Sequence, residues 1–138
     1  MWVTTDLGGT YRYDYESKKY EYFLTVKDDS CSISHPFISR IKEDRSGNYW
    51  LASYWNGLNV WNPDTGCFKK ILYDPKNPKG LPKATIIDFE IDQHGILWLA
   101  MQDAGLVKYD PDEGTFMQMG LKYPHLYGHV SDLSLIHI

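Results

Sequence analysis

No stretch of these 138 residues stays apolar for the roughly 20 positions that a membrane-spanning helix needs, so no such helix is expected. The 14 Lys and Arg are scattered without a basic run and the formal net charge is −4. The electrostatic footprint of a nucleic-acid or anionic-membrane binder is therefore missing, and neither partner is expected of this stretch. The opening residues, Met1 to Asp6, lack the basic and apolar regions of a secretion signal. A Gly-rich phosphate loop, zinc-ligand spacing, a nucleophile elbow and a kinase signature are all absent, so no motif supports catalysis or a bound cofactor in this stretch. Cysteine is scarce, with only Cys31 and Cys67.

Aromatic residues are plentiful. They make up 15% of the chain, with 11 Tyr and 5 Trp beside 11 Gly and 7 Pro, a balance that favours short strands and tight turns. An ungapped repeat organises them. Trp2, Trp50 and Trp98 are spaced 48 and 48 (50 − 2 and 98 − 50), as are Gly9, Gly57 and Gly105, and Tyr13, Trp61 and Tyr109. The same offset aligns Asp14 with Asn62 and Asp110, and Tyr20 with Phe68 and Phe116.

Each unit reads as four strands, A to D, which in the middle copy are Phe37 to Glu43, Tyr49 to Ser53, Leu58 to Trp61, and Cys67 to Leu72. Gly47 supplies the positive φ that the A to B hairpin needs, and Pro63 and Gly66 serve the C to D turn. Four antiparallel strands repeated at this period predict an all-β fold, a partial β-propeller of about three blades, because each blade has two apolar faces that only neighbouring blades can cover. Met1 falls in the phase of Tyr49, so the first blade, residues 1–24, is expected to lack strand A. Residues 25–72 and 73–119 read as full blades with their leading connections, and 120–132 as the start of a connection onward. The last six residues, Leu133 to Ile138, resemble the translated end of a transposase adapter used in sequencing libraries, and are read as a non-native tail.

The segment Gly47-Asn48-Tyr49-Trp50-Leu51-Ala52-Ser53, then Gly57-Leu58-Asn59-Val60-Trp61-Asn62-Pro63-Asp64-Thr65-Gly66, resembles the two-component regulator propeller repeat. Tyr73-Asp74-Pro75-Lys76-Asn77-Pro78-Lys79-Gly80-Leu81 is similar to that family's blade-connecting loop, and Gly95-Ile96-Leu97-Trp98-Leu99-Ala100 with Gly105-Leu106 repeats the pattern. The first copy departs from it, with Tyr15 where the others have Pro63 and Pro111. The resemblance implies the periplasmic sensory part of an inner-membrane hybrid two-component histidine kinase of Bacteroidetes type, a homodimer that detects oligosaccharides. On that reading this stretch is not itself an enzyme, and the remaining blades of the parent chain are its immediate partners.

Antiparallel blades alternate their loops between two faces, which puts the B to C and D to A connections together. Sugar recognition wants an aromatic plane under the ring and side-chain amides or carboxylates for the hydroxyls. Tyr54, Trp55 and Asn56, with Gln102 and Asp103 and with Asp6 in the matching loops, fit that need; the plainer reading makes them ordinary hairpin residues. The repeated Trp2, Trp50 and Trp98 are expected in the inter-blade core, as are Tyr13, Trp61 and Tyr109. Asp110 to Gly114 looks like the start of a calcium loop but matches the Asn62 turn, and Pro124 and Gly128 argue against a helix that would pair His125 with His129. No metal site is expected. His35 and His94 are assigned solvated or capping roles. Cys31 in a D to A connection and Cys67 at a C to D turn fall on opposite faces, so a disulfide is not expected. Two other functions compete with a sensor: a propeller polysaccharide lyase or glycoside hydrolase with paired carboxylates on the same face, and a protein-binding scaffold with a flat apolar patch.

Overall fold

The structure is a computed structural model that describes residues 1–5, 9–55 and 57–119. The described chain forms three antiparallel sheets and, within those residues, no helix. The first sheet is β1 (Trp2–Thr5), β2 (Gly9–Asp14) and β3 (Lys19–Phe23). The second is β4 (Ile38–Glu43), β5 (Tyr49–Ser53), β6 (Leu58–Asn62) and β7 (Cys67–Ile71). The third repeats it with β8 (Ile86–Ile91), β9 (Leu97–Met101), β10 (Gly105–Asp110) and β11 (Thr115–Gln118). Strands pair in sequence order within each sheet, as consecutive hairpins require. This is the partial propeller expected from the repeat, with three strands in the first blade and four in each of the others. The second and third blades even share a bulge, between Ile38 and Arg40 and between Ile86 and Asp88.

Turn chemistry explains why the hairpins close where they do. Asp44 Oδ1 accepts from the backbone N–H groups of Ser46 and Asn48, and Asp92 Oδ1 from those of His94 and Ile96. Each carboxylate thereby satisfies the tight A to B turn that Gly47 and Gly95 complete at φ 80° and 81°. At the other hairpin Asn62 Oδ1 accepts from Asp64 N and Thr65 N, and Asp110 Oδ1 from Asp112 N and Glu113 N. Asp110 to Gly114 is therefore a turn of the same kind as its counterpart at Asn62.

The core lies between blades. Trp50, Ala52 and Leu58 of the second blade pack with Phe89, Leu97, Leu99 and Tyr109 of the third. Leu51, Trp61 and Phe68 on the opposite face of the second blade meet Trp2 and Phe23 of the first. Fully buried Phe and Leu side chains at such positions each contribute about 2 kcal/mol, so the inter-blade contacts, not the hairpins alone, hold the array together. Of the repeated aromatics, Trp50, Trp61 and Tyr109 are buried, while Trp2, Trp98 and Tyr13 are only partly covered. Ion pairs add to the join along the A-type strands: Arg40 Nε lies 2.9 Å from Asp88 Oδ1, and Lys42 pairs with Glu90.

One expectation is overturned. Cys31 and Cys67 form a disulfide, with Cα atoms 4.6 Å apart. The connection that leads into the second blade does not stay on its own face but dips along the free edge of β7, where Phe68 N donates to Cys31 O at 3.0 Å. Lys70 Nζ donates to Asp29 O at 2.9 Å beside it. The third blade repeats the dip without the covalent bond, since Phe116 N donates to Lys79 O at 3.1 Å. Assigning connections to a face by their end points misses such an excursion.

Candidate functional site

On the face that carries the B to C loops, a cleft of about 710 Å³ opens between the second and third blades. Trp55, from the β5–β6 loop, and Gln102 and Asp103, from the β9–β10 loop, all line it. The sequence placed these three in matching loops, and the structure brings them to one cavity. Tyr54 stands one step back, its ring edge-on to Trp55 at 5.1 Å. Asn56 and Asp6 lie outside the described residues.

Trp55 is 63% exposed, yet it is not loose. Phe37 meets its ring at 5.7 Å and His35 at 5.5 Å, both edge to face or nearly so. His35 is itself fixed, because its Nδ1 accepts from Phe37 N at 3.1 Å; this is a capping role, as expected for that residue. Aromatic pairs of this geometry contribute about 1 kcal/mol each beyond their burial. A large apolar plane is thus presented to solvent by a rigid support, which suits it to stacking. The loops are held to the sheets in the same way in both blades: Tyr54 N donates to Phe37 O at 3.0 Å and Gln102 N to Thr85 O at 2.8 Å. Asp103 adopts φ 64°, a left-handed conformation that aspartate tolerates better than most residues.

The D to A connections supply the rest of the wall, and sequence reasoning did not single them out. Thr25 and Ser34 come from one connection, and Tyr73, Lys83 and Thr85 from the next. A buried polar network underlies Ser34: its N–H donates to Asn59 Oδ1 at 2.8 Å, and Asn59 Nδ2 donates to Ser53 Oγ at 2.8 Å. The repeat carries a trace of this network, since Asn59 stands where the third blade has the apolar Val107. Gly57 forms part of the floor at φ 72°; a Cβ there would sit 2.3 Å from Ile71 O, so only glycine allows the loop to approach β7. Among the described lining residues Asp103 is the one carboxylate, and Lys70 and Lys83 are the cations. The cleft therefore offers an aromatic plane, an amide, hydroxyls and single charges.

The described residues hold no cluster of three or more His, Cys, Asp or Glu side chains that could bind a metal ion. His125 and His129 lie outside the described residues.

The fold is that of a β-propeller segment. Among solved structures it is similar to the extracellular domain assigned to the hybrid two component system BT3049 from B. thetaiotaomicron, with a TM-score of 0.73 and 19% identity over 86% of this chain and 16% of that one. Two structures of the extracellular domain of BT4673 from the same organism, described once as a one component and once as a hybrid two component system, match with a TM-score of 0.65 and 22% identity. Those matches cover 85% of this chain and 15% of each neighbour, so the chain spans under a fifth of the length of the domains it resembles. No protein-family model matches the sequence, and no curated protein is similar to it.

Proposed function

We propose that this chain is part of the extracytoplasmic ligand-sensing propeller of a hybrid two-component histidine kinase, and that the Trp55 cleft takes an oligosaccharide. The likeness of its fold to extracellular domains of such signalling systems carries the reading. The repeat pattern around Trp50 and Trp98 points to the same family of sensors. The Cys31–Cys67 disulfide supports an oxidising, periplasmic location, where such bonds form and persist. Chemically, Trp55 supplies the plane on which an apolar sugar face stacks, and Gln102, Asp103 and Thr85 supply hydroxyl partners along the wall. In the parent protein, a homodimer anchored in the inner membrane, such a ligand acts by binding one geometry of the dimer more tightly than another and so shifting the kinase equilibrium.

The test is to recover the complete reading frame around this stretch, produce its whole extracytoplasmic region, and titrate it calorimetrically with a panel of oligosaccharides. A ligand should be found, and Trp55→Ala should weaken it at least tenfold, about 1.4 kcal/mol, in a protein that stays folded at the titration temperature although the lost contacts to Phe37, His35 and Tyr54 lower its melting temperature. A frame that closes as a secreted propeller with clustered carboxylates in its funnel would instead establish a polysaccharide lyase or glycoside hydrolase. Binding that Trp55→Ala leaves intact would remove this cleft from the sensor.

A further inference from the structure

The two connections that wall the cleft occupy equivalent places in the repeat, yet they are tied down very differently. Residues 25–36, which lead into the second blade, are fixed at several points. The Cys31–Cys67 disulfide binds them to β7, and Lys70 Nζ donates to Asp29 O at 2.9 Å. Ser34 N donates to Oδ1 of the buried Asn59 at 2.8 Å, and Thr10 Oγ1 to Pro36 O at 2.9 Å. Ser32 Oγ bonds both the N–H and the C=O of Val26.

Each of these ties is missing from the second connection. Lys79 and Thr115 stand where the cysteines are, and Leu58 where Thr10 is. Ser34 and Asn59 are replaced together, by Pro82, which has no N–H to give, and by Val107, which has no side-chain oxygen to receive one. Gly80 replaces Ser32, and Gln118, in the place of Lys70, donates to Ala104 O instead. Among the described residues, 73–84 are joined to a sheet by one hydrogen bond, Phe116 N to Lys79 O at 3.1 Å, and by the apolar side chains of Leu81 and Ala84. Within itself the segment is stiff. Asp74 Oδ1 accepts from Lys76 N at 2.9 Å and Asp74 O from Asn77 N at 3.0 Å. Asn77 repeats the pattern, its Oδ1 accepting from Lys79 N at 3.2 Å and its carbonyl from Gly80 N at 3.0 Å. Pro75 and Pro78 fix φ in the two turns. A segment bonded inside and barely tied outside moves as a unit.

We propose that residues 72–80 are a strap that swings off β11 about Leu81 and lays Tyr73 over a ligand seated on Trp55, an inference that rests on the oligosaccharide reading of the cleft. The two sides suit these parts. Trp55 belongs to the fixed side, since His35 and Phe37, which back its ring, lie at the end of the tied connection. Leu72 and Tyr73 line the cleft and are exposed at the start of the loosely tied one. Closing buries them and breaks only the bond from Phe116 to Lys79.

The test takes the complete extracytoplasmic region and introduces Lys79→Cys with Thr115→Cys, which gives the second connection the disulfide that the first has. The crosslink fits because both latches share their backbone bond, Phe68 N to Cys31 O at 3.0 Å and Phe116 N to Lys79 O at 3.1 Å. Residue-resolved hydrogen exchange at the Phe68 and Phe116 amides reads each latch. In the unsubstituted protein Phe116 should be protected about tenfold less than Phe68 or weaker still, and the crosslink should remove the difference. In calorimetry with the oligosaccharide panel the crosslinked protein should bind about tenfold more weakly. Unaltered protection at Phe68 guards against poor folding, and Lys79→Ser with Thr115→Ser, which makes no crosslink, should bind as the unsubstituted protein does. Equal protection of Phe68 and Phe116, or undiminished affinity after crosslinking, overturns the strap. If no member of the panel binds the unsubstituted protein, the oligosaccharide reading fails by itself, and exchange at Phe116 alone decides whether the strap swings.

Discussion

Asp44 and Asp92 show how much one side chain does in a short hairpin. Each accepts from two backbone N–H groups and one indole. Burial alone would raise both carboxyls, but the bonds from Trp50 and from Asn48 and Ser46 hold Asp44 below the usual carboxylate range. Trp98, His94 and Ile96 do the same for Asp92. A group whose folded pKa is depressed gives stability that is fully present above its unfolded value, about 3.9 for aspartate, and lost as the pH falls through the lower folded value. The propeller should therefore hold its strength down to about pH 4 and lose it below, with Asp44→Ala and Asp92→Ala flattening that acid limb in a pH series of denaturant midpoints. At neutral pH each substitution should cost about 1–3 kcal/mol, since it strands donors that are partly or wholly covered. A flat acid limb in the unsubstituted protein would contradict this.

At the scale of strands and connections, the disulfide is the clearest lever. It closes a separation of 36 residues between the connection that dips along β7 and the start of β7 itself. In the chain-entropy account a loop of that size is worth about 4 kcal/mol, so Cys31→Ser with Cys67→Ser should lower the denaturant midpoint markedly. The loss should exceed that for Lys79→Ala, which leaves the backbone latch of the third blade untouched. Strands proved easy to read in the sequence: β5 lies at Tyr49–Ser53 as expected, and β4, β6 and β7 differ from expectation by one residue at one end. Hairpins are local, and aspartate, glycine and proline at fixed offsets mark their turns. Half of the cleft was legible for the same reason, because Trp55, Gln102 and Asp103 occupy hairpin tips. The walls from Ser34, Tyr73 and Lys83 were not, since the connections follow β7 and β11 through single backbone bonds that leave no periodic trace in the residues.

The whole molecule is shaped by which blade faces are covered. Leu51, Trp61 and Phe68 of the second blade are buried against the first, whereas the corresponding face of the first blade is open, with Val3 42%, Tyr20 74% and Tyr22 44% exposed. Met117 in β11 of the third blade is 61% exposed. An open face of this kind, next to the unpaired edge of β1, invites association. The isolated 138-residue chain should therefore self-associate as concentration rises through the micromolar range and unfold over a broad, poorly reversible transition. Light scattering after size exclusion, with scanning calorimetry, checks this; a sharp, reversible transition of a monomer would refute it. The bond between Cys31 and Cys67 carries one more consequence, for cleavage. The exposed Tyr54 and Trp55 loop lies within the covalent ring that the disulfide closes, so a protease that cuts there opens the ring without parting the chain. Both halves of the clipped protein stay joined until a reductant releases them, and the rim of the cleft can be nicked while the second blade keeps all its strands.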